Sequence, residues 1–457
     1  MNKQSGLIGI LVAMAVGSAW AASPQDIGTT LTPLGGAEKA AKGDIPAWTG
    51  ENVVSNSWHY GEYRKDAFKY KDEKPAVVID ASNVDKYADK LTPGQAALIK
   101  QVKGYKMDVY PTHRYCSAPD FVVENTKKNA GGAAKLGADG QTLGDAVVPG
   151  IPFPFPKNGV EVMLNSKMRY RGVAVEYKKN TTSVSPRKGA SEWIKAVSEQ
   201  TVFYPWGAKG STALSTLPQV EFYTYYAYVA PTALAGQALS ITYFLDKPGT
   251  ETFYYFPGQR RVRRMPSYAY DAPQIGMENQ YTMDEPYVFS GSLDRFDWKL
   301  VGKKEVYVPY GSFGLYNFKA KLEDVLHDDS VAEGARRYEL HRMYVVEATV
   351  KPGTRHLAPK RTFYVDEDSW NLLLADDYDA QGKLWKHREG HLIPVAETGT
   401  CDASAFAEYN LAEGRYLVDV HSVGAGKDIQ YATDPKTSPR YKASFYSADN
   451  LRAISER

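Results

Sequence analysis

Between Leu239 and Met265 the chain alternates with the period of a strand. Leu239, Ile241 and Tyr243 interleave with Ser240 and Thr242, which predicts a strand with one buried face. Asp246-Lys247-Pro248-Gly249 follows as a turn, where Pro presets φ and Gly supplies a positive one. The next strand sets Phe253 and Tyr255 on one face and Thr252, Tyr254 and Phe256 on the other. Pro257-Gly258 turns the chain again, and a third strand places Arg260, Arg261, Arg263 and Arg264 around Val262. This is an antiparallel meander, aromatic on two strands and cationic on the third. It has two readings. One is a cavity wall with a basic rim, suited to an amphiphile with an anionic head. The other is an ordinary sheet with core aromatics and solvated edge arginines.

The same patterning predicts further strands over 160–176, 219–229, 298–308, 338–350, 361–366, 370–378 and 384–389. Long helical crossovers are missing, so one large curved antiparallel sheet fits better than βαβ units. Helices are expected where caps occur. Thr92-Pro93-Gly94-Gln95 is a capping box with Pro at the first helical position. A second helix is expected from about Ser117 to Asn129, and short ones over 191–198 and 318–326. Asn158-Gly159 reads as a turn dipeptide. Residues 23–74 look extended, with Trp48 and Trp58 as anchors onto another surface. The division expected is a leader over 1–21, an arm with short helices over 22–150, a β core over 151–400 and an extension over 401–457.

Composition narrows the class. Basic residues number 55 against 53 acidic, a formal charge of +2; such balance argues against nucleic acid as the partner. Tyr (33) outnumbers Phe (16) and Trp (8) together, favouring strands and half-wet aromatic surfaces. Lys3, the apolar run Gly6–Gly17 and Ala19-Trp20-Ala21 form a secretory leader cleaved near Ala21. No later run is long and apolar enough to span a membrane, so a periplasmic protein is expected. Only Cys116 and Cys401 are present. Export permits them to pair, and two buried free thiols stand as the alternative.

Catalytic motifs are near misses. Gly311-Ser312-Phe313-Gly314 has the wrong spacing for a nucleophile elbow. Gly424-Ala425-Gly426-Lys427 is too short for a phosphate loop. The calcium-loop start at Asp377 meets Arg388 at its twelfth position. His387 and His391 would share a zinc only on a helix. Asp366-Glu367-Asp368 is expected as an exposed turn. No catalytic residue, metal ligand or cofactor is assigned.

Six ordered blocks carry a family resemblance: Leu31–Gly50, Val109–Arg114, Ile151–Glu161, Tyr255–Pro273, Asp297–Tyr310 and Arg355–Trp370. Together they resemble an exported Gram-negative family of unknown function labelled outer membrane lipoprotein-sorting protein. The resemblance implies an α+β, β-rich fold like the periplasmic carriers LolA and LolB, a half-barrel closed by helices around an apolar cavity. It also implies a resistance-nodulation-division pump and an outer-membrane protein as partners. The function expected is non-enzymatic carriage of a lipid or other hydrophobic ligand. Tyr223, Tyr225, Tyr243, Phe253 and Tyr255 are the candidate wall, and Arg260, Arg261, Arg263 and Arg264 the candidate head-group site. The alternatives are a docking scaffold without a ligand, and a secreted hydrolase using Asp366, Glu367, Asp368 and His356.

Overall fold

The computed structural model describes residues 22–456; the leader expected over 1–21 lies outside them. The core is one open sheet of sixteen strands. Its path starts at Val77–Ile79 and Met107–Val109. It continues through Tyr338–Val350, Lys360–Asp366, Leu372–Tyr378, Leu384–Gly390, Phe406–Asn410 and Arg415–His421. There it meets Ala174–Val184 and runs on through Ile194–Phe203, Val220–Ala230, Ala238–Phe244 and Thr250–Phe256 to Arg261–Arg264. Phe296–Pro309 pairs with Tyr338–Val350, and Gln430–Ala432 with Ala174–Val184. The pairing is antiparallel throughout, apart from the parallel register of Tyr338 with Val109. The fold is therefore β-rich α+β, as the alternation predicts.

In the middle of this sheet both faces are covered. Arg415–His421 is buried at all seven positions and Phe406–Asn410 at all five. An antiparallel strand usually shows one face to water and so alternates. These two do not; the tail after Cys401 reads from its sequence as one helical patch and one strand-like patch, and the structure makes strands of both.

Helix α1 (Pro93–Gln101) begins at the expected capping box: Gln95 N donates to Thr92 Oγ1, and Thr92 N donates to Gln95 Oε1, each at 3.1 Å. Gln95 Nε2 donates to Tyr307 O at 2.8 Å and fixes the helix to the sheet. Helix α2 spans Asp120–Lys128. The strand expected over 160–176 is corrected: α3 (Gly159–Lys167) occupies its first half, and the strand begins only at Ala174. Asn158 is an N-cap rather than a hairpin residue, its side chain accepting from Glu161 N at 3.0 Å. Gly159 to Ser166 are all buried, so no polar face marks the helix, and Val160 and Val162 imitate a strand. The helix expected over 191–198 is instead the strand Ile194–Phe203. The one over 318–326 shrinks to a single turn, α4 (Leu322–Val325). Helix α5 (Ala448–Ser455) closes the chain.

The N-terminal segment lies on the sheet through backbone acceptors. Trp370 Nε1 donates to Leu34 O at 3.1 Å, Tyr344 OH to Gly36 O at 2.8 Å, and Trp48 Nε1 to Cys116 O at 2.9 Å. Cys116 and Cys401 form a disulfide with Cα atoms 5.6 Å apart, across 285 residues of sequence. A loop of that length predicts a contribution of roughly 5 kcal/mol in the chain-entropy model. Replacing both cysteines by serine should lower the unfolding free energy by up to about that amount, measured by urea titration against the oxidised protein.

Candidate functional site

The strands Val220–Ala230 and Ala238–Phe244 present two different faces. Tyr243 pairs with Phe222 in register and their rings stack at 4.2 Å. Side chains alternate across a strand, so Phe222, Tyr226, Leu239, Ile241 and Tyr243 share one face, here called inner. They line a cavity of about 60 Å³. Its other wall is an irregular segment, residues 266–295, which contributes Tyr268, Tyr281, Met283 and Tyr287. One carboxylate reaches this cavity. Asp419 accepts from Thr182 Oγ1 at 2.6 Å and from Tyr281 OH. Burial pushes its carboxyl up, against those two hydrogen bonds. The site is an aromatic enclosure with a single acid at its edge.

The segment itself is held under backbone strain. Five of the eight non-glycine residues with positive φ among the described residues lie in it: Tyr270, Glu278, Asn279, Tyr287 and Val288. Val288, at φ 70, is β-branched, for which the left-handed region is a real cost.

Buried ion pairs hold it down. Arg361 projects from Lys360–Asp366, Lys386 and Arg388 from Leu384–Gly390, and all three are fully buried. Arg361 Nη1 donates to Asp284 Oδ2 at 2.6 Å, and its Nε donates to Asp377 Oδ1 at 3.1 Å. Lys386 Nζ donates to Glu285 at 2.8 Å, to Glu408 at 2.5 Å and to Gln280 O at 3.0 Å. Arg388 Nη2 donates to Asp377 Oδ1 at 2.7 Å. His356, beside Asp366–Asp368 in the hydrolase reading, instead contacts Asp284 Oδ2 at 2.9 Å. Burial alone would raise the Asp284 carboxyl, but Arg361 and His356 hold it well below the usual range. Glu408 is pushed up to about 7 by burial and the Glu285 charge, against the pull of Lys386 and Arg388.

The expected aromatic wall is divided. Tyr243 alone of the five faces the cavity. Tyr223, Tyr225 and Tyr255 lie on the opposite face, in a buried cluster with Phe203, Tyr446 and Leu451, and Phe253 packs against that cluster. The C-terminal segment covers them: Tyr223 stacks on Tyr446 at 5.0 Å. The arginines divide too. Arg263 pairs with Tyr254, which pairs with Leu239, so Arg261 and Arg263 share the inner face. Arg264 pairs with Phe253 on the other face and bridges Glu251 at 3.1 Å. Arg260 sits in the turn with φ 50. All four are exposed, three on the edge strand Arg261–Arg264 and Arg260 in the turn before it.

One further expectation changes, and the strand expected at His387 is found. Asp366, Glu367 and Asp368 form a buried turn, not an exposed one, at 0%, 2% and 2% exposure. His387 lies on a strand, paired with Asp376 Oδ1 at 2.7 Å, while His391 contacts Ser312 Oγ at 2.9 Å. Sequence reasoning missed Tyr268, Tyr281, Met283 and Asp419. The available signal was the length and aromatic content of 266–295, too apolar for a solvated loop and without any period.

Comparison with known proteins gives one family and several structural likenesses. The model of the DUF1329 family, described as proteins of unknown function, matches residues 78–452. An uncharacterised protein of Pseudomonas aeruginosa is 37% identical over 420 residues, covering 90% of each chain. A domain from Vibrio parahaemolyticus described as an outer membrane lipoprotein-sorting protein is 14% identical. The match covers 64% of this chain and 98% of that one, with a TM-score of 0.42. A DUF1329 protein from Desulfovibrio piger is also 14% identical, over 63% and 98%, with a TM-score of 0.40. A LolA superfamily protein from Nitrosomonas europaea is 10% identical, over 64% and 99%, with a TM-score of 0.35.

The ion pairs of the 266–295 segment set a testable expectation. Asp284→Asn strips Arg361 and His356 of one buried partner, a loss on the order of 3–5 kcal/mol. Limited proteolysis should then cut within 266–295 before the sheet unfolds, whereas the wild type should resist cutting there.

Proposed function

The chain belongs to the DUF1329 family of unknown function, and on that premise we propose that it is a non-enzymatic periplasmic carrier of a hydrophobic or amphiphilic molecule. The ligand would take the inner face of the strands 220–230 and 238–244 when segment 266–295 moves aside. One observation carries this reading: the aromatic half of the inner face is closed by an irregular, strained segment and not by a regular element. A segment of that length without regular structure inside a compact fold is more often functional than a passive connection. The cavity it leaves, about 60 Å³, is several-fold smaller than the roughly 300–1,000 Å³ of ordinary ligand sites. Loading therefore requires the segment to yield. An acyl chain would repay roughly 0.8 kcal/mol per buried CH₂, set against the loss of the segment's own packing and ion pairs. Arg261 and Arg263, on the inner face of the edge strand, are placed to meet an anionic head.

The filled inner face also favours a second reading, a docking scaffold that carries nothing. In either case the partners proposed are an inner-membrane pump of the resistance-nodulation-division type and an outer-membrane protein. Among the described residues no helix is long and apolar enough to cross a membrane.

The test is native extraction with mass spectrometry of co-purifying molecules, followed by titration with a fluorescent anionic lipid. The carrier reading expects a bound hydrophobe or probe uptake. It expects Arg261→Glu with Arg263→Glu to weaken uptake about tenfold, or 1.4 kcal/mol, and Arg264→Glu to leave it unchanged. An empty protein that ignores the probe moves the assignment to the scaffold.

A further inference from the structure

Next to the disulfide, four segments of the chain bring charged groups to one buried spot. His341 comes from the strand Tyr338–Val350, Asp366 from the end of the next strand, and Asp368 from the turn that follows. One donor atom from each of these three lies within 4.8 Å of the other two. Tyr310 joins the spot from just past the strand Phe296–Pro309, and Arg114 from the N-terminal region. The Tyr310 ring stacks on His341 at 3.7 Å, and its hydroxyl lies 2.9 Å from Cys116 Sγ.

The surrounding carboxylates are each matched by a cation. Asp368 accepts from Arg114 Nε and Nη2 at 2.8 Å each. Glu367 accepts from Lys303 Nζ at 2.8 Å and lies 3.4 Å from Arg342 Nη1. Glu339 pairs with Arg337. Asp366 is different. Among the described residues no lysine or arginine pairs with it. Its Oδ2 accepts from Ser369 N at 3.1 Å, from Ser369 Oγ at 2.5 Å and from Tyr310 OH at 3.4 Å. Its Oδ1 is buried and accepts from nothing. An uncompensated carboxylate at 0% exposure costs several kcal/mol unless a positive charge meets it.

We propose that His341, Asp366 and Asp368 form a binding site for one divalent transition-metal ion, zinc by preference. His341 Nε2 is engaged by Glu339 Oε2 at 2.9 Å, which leaves Nδ1 as the free lone pair. A carboxylate that fixes the far nitrogen of an imidazole is the usual outer support of a metal-bound histidine. One imidazole and two carboxylates suit zinc, whereas calcium wants six to eight oxygens. Bonds of about 2.0–2.1 Å put tetrahedral ligands roughly 3.3 Å apart, so the three groups, now within 4.8 Å of one another, would draw together on the ion. The ion would supply the positive charge that Asp366 lacks. It would also tie two adjacent strands to the Arg114 and Cys116 region, a structural role independent of any ligand on the inner face.

The test strips the full protein with a chelator and titrates it with zinc chloride. Metal is counted by mass spectrometry and stability followed by thermal unfolding. The expected result is one zinc per chain and a rise in Tm. Asp366→Asn, nearly isosteric and without the unmatched charge, should fold in the absence of zinc, retain no metal and show no zinc-dependent Tm shift. His341→Gln should also lose zinc binding. Wild-type protein that takes up no zinc and shows no Tm response overturns the proposal. So does an Asp366→Asn variant that binds zinc as the wild type does. The wild-type stoichiometry decides alone should either variant fold poorly.

Discussion

A charge removed from water has to meet its opposite, and this requirement organises the centre of the molecule. Arg361, Lys386 and Arg388 point into a fully buried layer from the two strands that flank Leu372–Tyr378. The sheet itself supplies only Asp377 and Glu408 against them. The balance comes from Asp284 and Glu285 of the irregular segment. Desolvation of an ion costs several kcal/mol, and losing one partner of a buried pair costs 3–5 kcal/mol or so. The segment therefore docks because the sheet is short of negative charge without it. Its strained backbone at Tyr287 and Val288 is tolerated for the same reason, since the carboxylates beside those residues set where the chain must run.

That layer also explains why so much stayed hidden in the sequence. Leu384-Trp385-Lys386-His387-Arg388-Glu389-Gly390 reads as a half-solvated strand, and its polar residues look like an outer face. In the structure Lys386 to Gly390 are all buried, because charges on both faces find partners from elsewhere in the chain. No local pattern announces a partner a hundred residues away. The same logic hid the Asp366–Asp368 turn, whose composition is that of a solvent-facing bend. Features that depend on neighbours in sequence were legible: the capping box at Thr92, the meander from Leu239 to Arg264, and the antiparallel architecture. Features that depend on two-sided burial were not, among them α3 and the strand Phe406–Asn410, whose residues read as a helical patch.

The candidate site shows the same division at finer scale. Alternation alone puts Tyr243 and Tyr254 opposite Phe253 and Tyr255 once the register is known, and the register places Tyr243 beside Phe222. What alternation leaves open is which face meets which cover. The C-terminal segment seals one face through Tyr446, whose backbone carbonyl accepts from Ser240 Oγ at 2.7 Å. The other face is left to the segment between Met265 and Phe296. The aromatic residues of a single meander thus serve two separate interiors.

The order of strands in the sheet bears on how the chain comes together. Met107–Val109 lies beside Tyr338–Val350, and Ala174–Val184 beside Arg415–His421. A chain made from its N-terminus must therefore hold its first third uncompleted until more than two hundred further residues have emerged. Pairings so distant along the chain are slow, because loop closure must precede any reward from contact. During that wait the meander from Ala174 to Arg264 presents two unpaired edges, Ala174–Val184 and Arg261–Arg264. The exposed arginines of the last strand, at the very edge of the sheet, are then useful in a second way: they make that edge a poor template for another copy of the chain.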